Sequence, residues 1–427
     1  MKPSLDSLLR EALPTLEHWL TQQWASHPPP LYTSVDVRHA GFKIAPVDTN
    51  LFPGGWNNLS QPMLPLAIRG AQRAIERLCP DARQILLVPE NHTRNLFYMA
   101  NVAQLQGILR QAGYEVRIGT MHPDLQEVSQ VDLPSGETLT LAPLRRQHGR
   151  VGLKDFDPCL IVLNNDLSSG TPEILCDLQS QALAPALPLG WSVRRKSQHF
   201  EQYRRVAAQV GELLGIDPWW IDPLFDQASG LDFATGQGLD ALKTQVDALL
   251  TRIGRQYQAH RIDAAPYVVV KADNGTYGMG IMVVRKAADL DQLNRRTRNK
   301  MRVIKDGQWV SDVLIQEGVP TQESVQGQVA EPVVYMMGAQ VVGGFHRAHA
   351  ERGVDENLNA PGARFVPWAL TREGGLPPQQ GAACLIARLA ALAASREALP
   401  ESDANVFPKV CGVRAAAKAH TGLSLNH

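Results

Sequence analysis

The chain has 427 residues, 44% of them hydrophobic, and its 42 lysines and arginines are matched by 42 aspartates and glutamates. That length is enough for about two or three domains, and a net charge of zero leaves no basic footprint for a polyanion, so nucleic acid is not an expected partner. No run of 18 apolar residues and no secretory leader is present, so no membrane association is expected and the protein reads as cytoplasmic.

In chain order, residues 4–24 carry Leu5, Leu8, Leu9, Leu13, Leu16 and Leu20 at helical spacing and read as one amphipathic helix. A short β run follows at 31–37, then an irregular stretch rich in Pro, Gly and Asn to about 62. Strand-like runs at 84–89, 114–118, 138–144 and 160–164 alternate with helical stretches near 63–79 and 93–112, the pattern of an α/β layer with parallel strands. Residues 172–184, 199–215 and 239–260 read as helices. From 266 short β runs separated by glycines and polar turns predict an antiparallel sheet, with a helix inserted at about 287–302. A last helix is expected at 378–397, before a weakly patterned tail. The five cysteines are scattered, without CxxC or Cys/His spacing, and read as reduced thiols rather than a zinc site.

The segment richest in chemistry runs from Tyr267 to Val284, where VVVK and IMVV flank a loop with glycines at 275, 278 and 280. Glycine lets backbone N–H groups face a concavity that holds phosphate oxygens. Lys271, at the exit of the first strand, sets a point charge beside it. The chain has no GK[ST] for a P-loop, and its GxxGxG spacing leads into a strand, unlike a dinucleotide fingerprint. Asn274, Gly275, Tyr277, Gly278 and Gly280 are therefore the expected nucleotide contacts beside Lys271.

This segment resembles the ATP-grasp superfamily, in which a strand lysine precedes a glycine-rich hairpin loop. The resemblance extends to VLIQEGV, placing Gln316 and Glu317 at the adenine and ribose, and to Arg347, placed at the transferring phosphate. Lys196, in GWSVRRKS ahead of a helix, resembles the basic residue that precedes the central domain. Asp355-Glu356-Asn357-Leu358-Asn359 resembles the terminal metal segment, although its Glu-x-Asn spacing is not clean. Glu356, Asn357 and Asn359 are the expected ligands, since hard oxygens suit Mg²⁺.

The front of the chain is a polar, glycine-containing stretch, residues 32–59, better suited to a ligand wall than to a core. Pro89-Glu90-Asn91-His92-Thr93-Arg94-Asn95 and Asn164-Asn165-Asp166 follow strands directly, where open α/β sheets bind anionic ligands. Together, VDVRHAGFKIAPVDTNLFPGGWNNL, PENHTRN, NNDLSSG and VVVKADNGTYGMGI closely resemble the bacterial glutamate–cysteine ligase family that uses an ATP-grasp fold, over roughly residues 30–370. The resemblance implies ATP and Mg²⁺ as cofactors and L-glutamate and L-cysteine as substrates. It implies γ-glutamylcysteine as product, formed through an acyl phosphate, in a monomer or a homo-oligomer.

The implied architecture is α/β and α+β. An N-terminal α/β substrate-binding domain spans 1–185, and a mostly helical first ATP-grasp subdomain spans 186–265. The second subdomain, 266–427, carries the antiparallel sheet, the glycine-rich loop and the metal segment. Arg347 and Lys271 are the expected catalytic residues. Arg38 and Lys43 are expected to hold the glutamate α-carboxylate, and Asp48 and Glu90 its ammonium. Asn50, Asn57, Asn91 and Asn165 complete the expected substrate wall.

Overall fold

The computed structural model describes residues 4–275, 280–293, 301 and 310–397. The front helix is two helices, α1 (Leu5–Glu11) and α2 (Leu13–Ser26). Pro14, in the first turn of α2, has no N–H to continue the ladder of the helix before it. Next come β1 (Tyr32–His39) and β2 (Ile44–Asn50), the second of which lies inside the stretch expected to be irregular. Pro46 and the polar residues around it hide β2 in the sequence. They are tolerated because β2 is an edge strand.

Helices α3 (Leu64–Leu78) and α4 (Leu96–Gln111) flank β3 (Gln84–Pro89), with Asn95 capping α4 through the Tyr98 N–H. There follow β4 (Glu115–Thr120), β5 (Ser129–Asp132), β6 (Thr138–Pro143), β7 (Arg145–Gln147), β8 (Arg150–Gly152), β9 (Leu160–Asn164) and β10 (Ala182–Ala184). The helix expected over 172–184 is instead a single 3₁₀ turn, Glu173–Leu175, and then β10. Asp177 and Ser180 hold positive φ angles of 49° and 51°, which end any helix there. Strands β10, β9, β3, β4 and β6 run parallel in that order, with β5 antiparallel at the edge. The near-continuous apolar runs ILLV and LIVL of β3 and β9 are fully buried, as a sheet covered on both faces requires.

Helix α5 (Lys196–Leu214) ends at Gly215, whose φ of 64° supplies the left-handed cap. After β11 (Phe225–Ala228) and α6 (Leu239–His260) come β12 (Val268–Ala272), β13 (Ile281–Val284) and β14 (Val313–Glu317). These four strands form an antiparallel sheet ordered β11-β14-β12-β13. The helix expected at 287–302 starts as a 3₁₀ turn, Ala287–Gln292, and most of its remainder lies outside the described residues.

Strands β15 (Ser324–Val325), β16 (Gln328–Met337), β17 (Gln340–His349) and β18 (Arg364–Pro367) complete a second antiparallel sheet, ordered β18-β17-β16-β1-β2 with β15 beside β16. The front of the chain is thus hydrogen-bonded to residues some three hundred positions later, so strands from segments 1–185 and 266–427 share one sheet. Helix α7 (Gly381–Glu397) is apolar on nearly all sides and correspondingly buried. Cys79, Cys159 and Cys384 are free thiols as expected, whereas Cys176 is disulfide-bonded. Among the described residues no helix is long and apolar enough to cross a membrane.

Candidate active site

Two cavities lie against the long antiparallel sheet. The first opens between β12–β14 and β2, where strand periodicity sorts the side chains. Val268 and Val270 are buried in the core, while Val269 and Lys271 line the cavity. Val47, Ile281, Val283 and Val319 add apolar wall, and Lys196 and Lys271 bring two ammonium groups. An apolar slot ending in paired cations fits a purine nucleotide and its phosphates. Lys271 Nζ donates to Gln316 Oε1 at 2.7 Å and to the Val47 carbonyl at 2.5 Å. Burial pushes its ammonium down to about 7, although Asp48 pulls the other way. Gln316 Nε2 is buried and has no partner among the described residues, a donor left for a ligand.

The second cavity lies where the strand ends of the parallel sheet face β1, β16 and β17, with Asn91, Arg94, Asn95 and Tyr98 on one side and Ser34, Asn50, Tyr335 and Phe345 on the other. Asp36, Asp48, Arg347 and Asn359 line both cavities and so form their junction. Asp36 and Asp48 are direct cross-strand partners on β1 and β2. Lys196 Nζ sits 2.8 Å from Asp48. Burial works against the Asp48 charge, but Lys196 and then Lys271 outweigh it and hold the carboxyl well below the usual range.

Behind the junction, charges alternate. Arg347 Nη1 donates to Asp36 Oδ2 and to Glu331 Oε1, both at 2.7 Å, and Arg38 Nε donates to Glu331 Oε2 at 2.7 Å. Glu331 and Arg347 are cross-strand partners on β16 and β17, so the register builds this pair. Burial disfavours the Arg347 charge, yet Asp36 and Glu331 hold its proton more tightly than usual.

The expected site residues divide. Lys196, Lys271, Gly275, Gln316, Glu317, Arg347, Glu356, Asn357 and Asn359 line the first cavity, and Asp48, Asn50 and Asn91 the second. Arg38 borders the first cavity rather than the second, and its Nη2 is spent on the Glu356 carbonyl at 2.5 Å. Lys43 lines neither: it is fully buried, with Nζ 2.8 Å from Glu317 Oε2 and 4.1 Å from the Trp219 ring centre. The Glu317 carboxylate also accepts from Trp219 Nε1 and the Leu224 N–H.

Glu90, Asn57 and Asn165 line neither cavity. Glu90 accepts the Asp166 N–H at 2.9 Å and Asn165 donates through Nδ2 to the Pro89 carbonyl at 3.4 Å, tying the ends of β3 and β9 together. Asn274 and Gly280 flank the cavity without lining it, and Tyr277 and Gly278 lie outside the described residues. Gly275 and Gly280 hold φ angles of 90° and 63°, the left-handed region that explains glycine at both ends of the loop.

Asp36, Glu331, Ser34 and Arg94 line the cavities without having been expected there. A signal for Asp36 existed: it stands two residues before Arg38 on a strand, so both share a face.

The expected Mg²⁺ ligands fit in part. The Glu356 carboxylate is committed to Arg352 and to the Gly353 N–H, and Asn357 Oδ1 accepts the Asn359 N–H. The Asn359 side-chain amide has no partner among the described residues and lines both cavities. Among the described residues no group of three or more His, Cys, Asp or Glu is gathered as a metal cage. Mg²⁺ keeps several waters and takes one or two carboxylates beside substrate phosphates, and of the three expected ligands only Asn359 offers an uncommitted oxygen, a neutral amide.

A family model described as glutamate–cysteine ligase (GshA) matches residues 6–398. A solved structure of a provisionally named γ-glutamylcysteine synthetase from Methylobacillus flagellatus KT is 49% identical, with a TM-score of 0.84 over 92% of this chain and 95% of that one. A D-cycloserine synthetase (14% identity, TM-score 0.37, 74% of this chain and 83% of that one) and the D-alanyl-alanine synthetase A of Vibrio cholerae (13%, 0.32, 68% and 76%) align more distantly. No curated protein matches.

Proposed function

The chain belongs to the glutamate–cysteine ligase family, and from that premise we propose that it joins the γ-carboxylate of L-glutamate to the amine of L-cysteine in the cytoplasm, driven by ATP. The products are γ-glutamylcysteine, ADP and phosphate, the first step towards glutathione. The observation that carries this reading is the junction. A nucleotide cavity and a polar cavity meet over Asp36, Asp48, Arg347 and Asn359, where a terminal phosphate and a carboxylate from opposite sides come into reach.

In the first step a γ-carboxylate oxygen forms a bond to the terminal phosphorus while the bond to the ADP oxygen breaks, giving an acyl phosphate. In the second the cysteine nitrogen bonds the acyl carbon and phosphate leaves. The chain's part is positioning and charge neutralisation. Lys196 and Lys271 hold the phosphates from the first cavity. Phosphate charge stabilises the ammonium of Lys271, which burial alone disfavours. Arg347, fixed between Asp36 and Glu331, meets the charge on the transferring phosphoryl group. Mg²⁺ would neutralise phosphate oxygens at this junction, where Asn359 would offer it an amide oxygen.

Arg38 holds Glu331 in place. The substrate α-carboxylate falls to Arg94, the guanidinium of the second cavity with no ion pair or hydrogen bond among the described residues. Phosphate release by the purified protein with ATP and Mg²⁺ tests the reading. Release that requires both L-glutamate and L-cysteine, with γ-glutamylcysteine found by mass, is the expected result. Release with another amine replaces the acceptor, and ATP binding without release under any amino-acid pair refutes the ligase.

A further inference from the structure

We propose that Asp36 takes the proton from the acceptor amine as that amine attacks the acyl phosphate, an inference that rests on the ligase reading above. The amine arrives as an ammonium and leaves as an amide nitrogen, so it sheds two protons. One departs with the phosphate as hydrogen phosphate, and the other needs an acceptor at the junction of the two cavities. When the C–N bond forms and the C–O bond to phosphate breaks, Asp36 receives that second proton and passes it to water.

Two carboxylates, Asp36 and Asp48, face each other across β1 and β2 and line both cavities, but their surroundings differ. Asp48 is held by Lys196 at 2.8 Å with Lys271 close by, an environment that keeps it charged. Asp36 has one oxygen on Arg347 at 2.7 Å and the other only at 3.3 Å. It is also half-buried between two like charges, Glu331 of β16 and Asp48 of β2, with Tyr335 of β16 near it. Burial, against the pull of Arg347 and with the push of Glu331 and Asp48, lifts its carboxyl above the usual range. Neighbouring carboxylates driven apart in this way divide into a proton acceptor and a fixed charge. Glu331 cannot serve, because its two oxygens are taken by Arg347 and Arg38 and it does not line the second cavity. Asp124 does line it but stands exposed at its rim.

The competing role for Asp36 is purely positional, orienting Arg347, and it would slow phosphorylation whatever the acceptor. The two roles separate when glutamate-dependent ADP formation is measured in Asp36→Asn with cysteine and with hydroxylamine, an amine already unprotonated at neutral pH. Loss of a proton acceptor lowers the ratio of cysteine turnover to hydroxylamine turnover by about 10²–10⁴ relative to the unaltered protein. An unchanged ratio, with both acceptors slowed alike, overturns the proposal and leaves Asp36 a positioning residue. If the asparagine variant does not fold, the same ratio in Asp36→Ser decides in the same way. Absence of glutamate-dependent ADP formation in the unaltered protein with either acceptor would instead overturn the ligase reading itself.

Discussion

Lys43 and Glu317 meet at 2.8 Å with side chains only 1% and 0% exposed, Glu317 on the wall of the first cavity and Lys43 behind it. Breaking such a pair from one side leaves a buried charge unpartnered, at a cost of about 3–5 kcal/mol. Lys43→Ala is therefore expected to lower the denaturation midpoint strongly in a urea titration. In whatever enzyme still folds, the KM for glutamate should stay near its normal value. Replacing both partners with apolar residues, Lys43→Met with Glu317→Leu, should recover most of the lost stability. A glutamate KM raised tenfold without loss of stability would return Lys43 to the substrate.

Lys271 sets a pH dependence whose sign can be worked out. Its ordinary ammonium titrates at 10.5 and burial brings it down to about 7, so in the empty protein it carries its charge below pH 7 and loses it above. Phosphate binding favours the charged form. The KM for ATP should therefore be lowest below pH 7 and climb by up to about tenfold per unit above it. Lys271→Arg, which keeps its charge, should flatten that climb, and Lys271→Ala should raise the KM at every pH. A flat profile from pH 6 to 9 in the unaltered protein would separate Lys271 from the phosphates.

These two lysines show what was legible in the sequence. Lys271 stands out because the strand period of VVVK and the glycines after it are local signals, and the strands form where that period places them. Lys43 carries no such signal, since its partner is 274 positions away, so an isolated lysine in a polar run reads as a ligand. The same distance hides the junction. Arg347 and Asp36 are separated by 311 positions and meet only because β16 pairs with β1 on one side and β17 on the other. Strand β2 is hidden in the sequence because Pro46 reads as a breaker until the strand is known to lie at an edge.

Arg94 has no ion pair or hydrogen bond among the described residues, whereas Arg38 and Arg347 are committed to Glu331. A charge-assisted hydrogen bond to a substrate carboxylate contributes about 1.5–3 kcal/mol. Arg94→Ala is thus expected to raise the KM for glutamate by about 10–100-fold while leaving the KM for ATP unchanged and the protein fully folded. Equal effects on both substrates, or none on either, would remove Arg94 from the amino-acid site.

Glu397, at the end of α7, ties that helix to the segment that carries Lys196. Its carboxylate accepts from Arg194 Nε at 2.7 Å and lies 2.5 Å from His199 Nδ1, while Arg194 Nη1 donates to the carbonyl of Thr49, next to Asp48. Burial opposes the charge on Glu397, but Arg194, and after it His199, hold its carboxyl down at about 2. A carboxyl depressed on folding adds stability that is complete above its unfolded value of 4.5 and disappears as the pH falls towards 2. From that depression the contribution is about 3 kcal/mol at neutral pH. Glu397→Gln should accordingly lower the melting temperature at pH 7 by several degrees. The difference from the unaltered protein should shrink as both are titrated from pH 4.5 downwards. A gap that stays constant across this range would mean that Glu397 acts through its shape and hydrogen bonds rather than its charge.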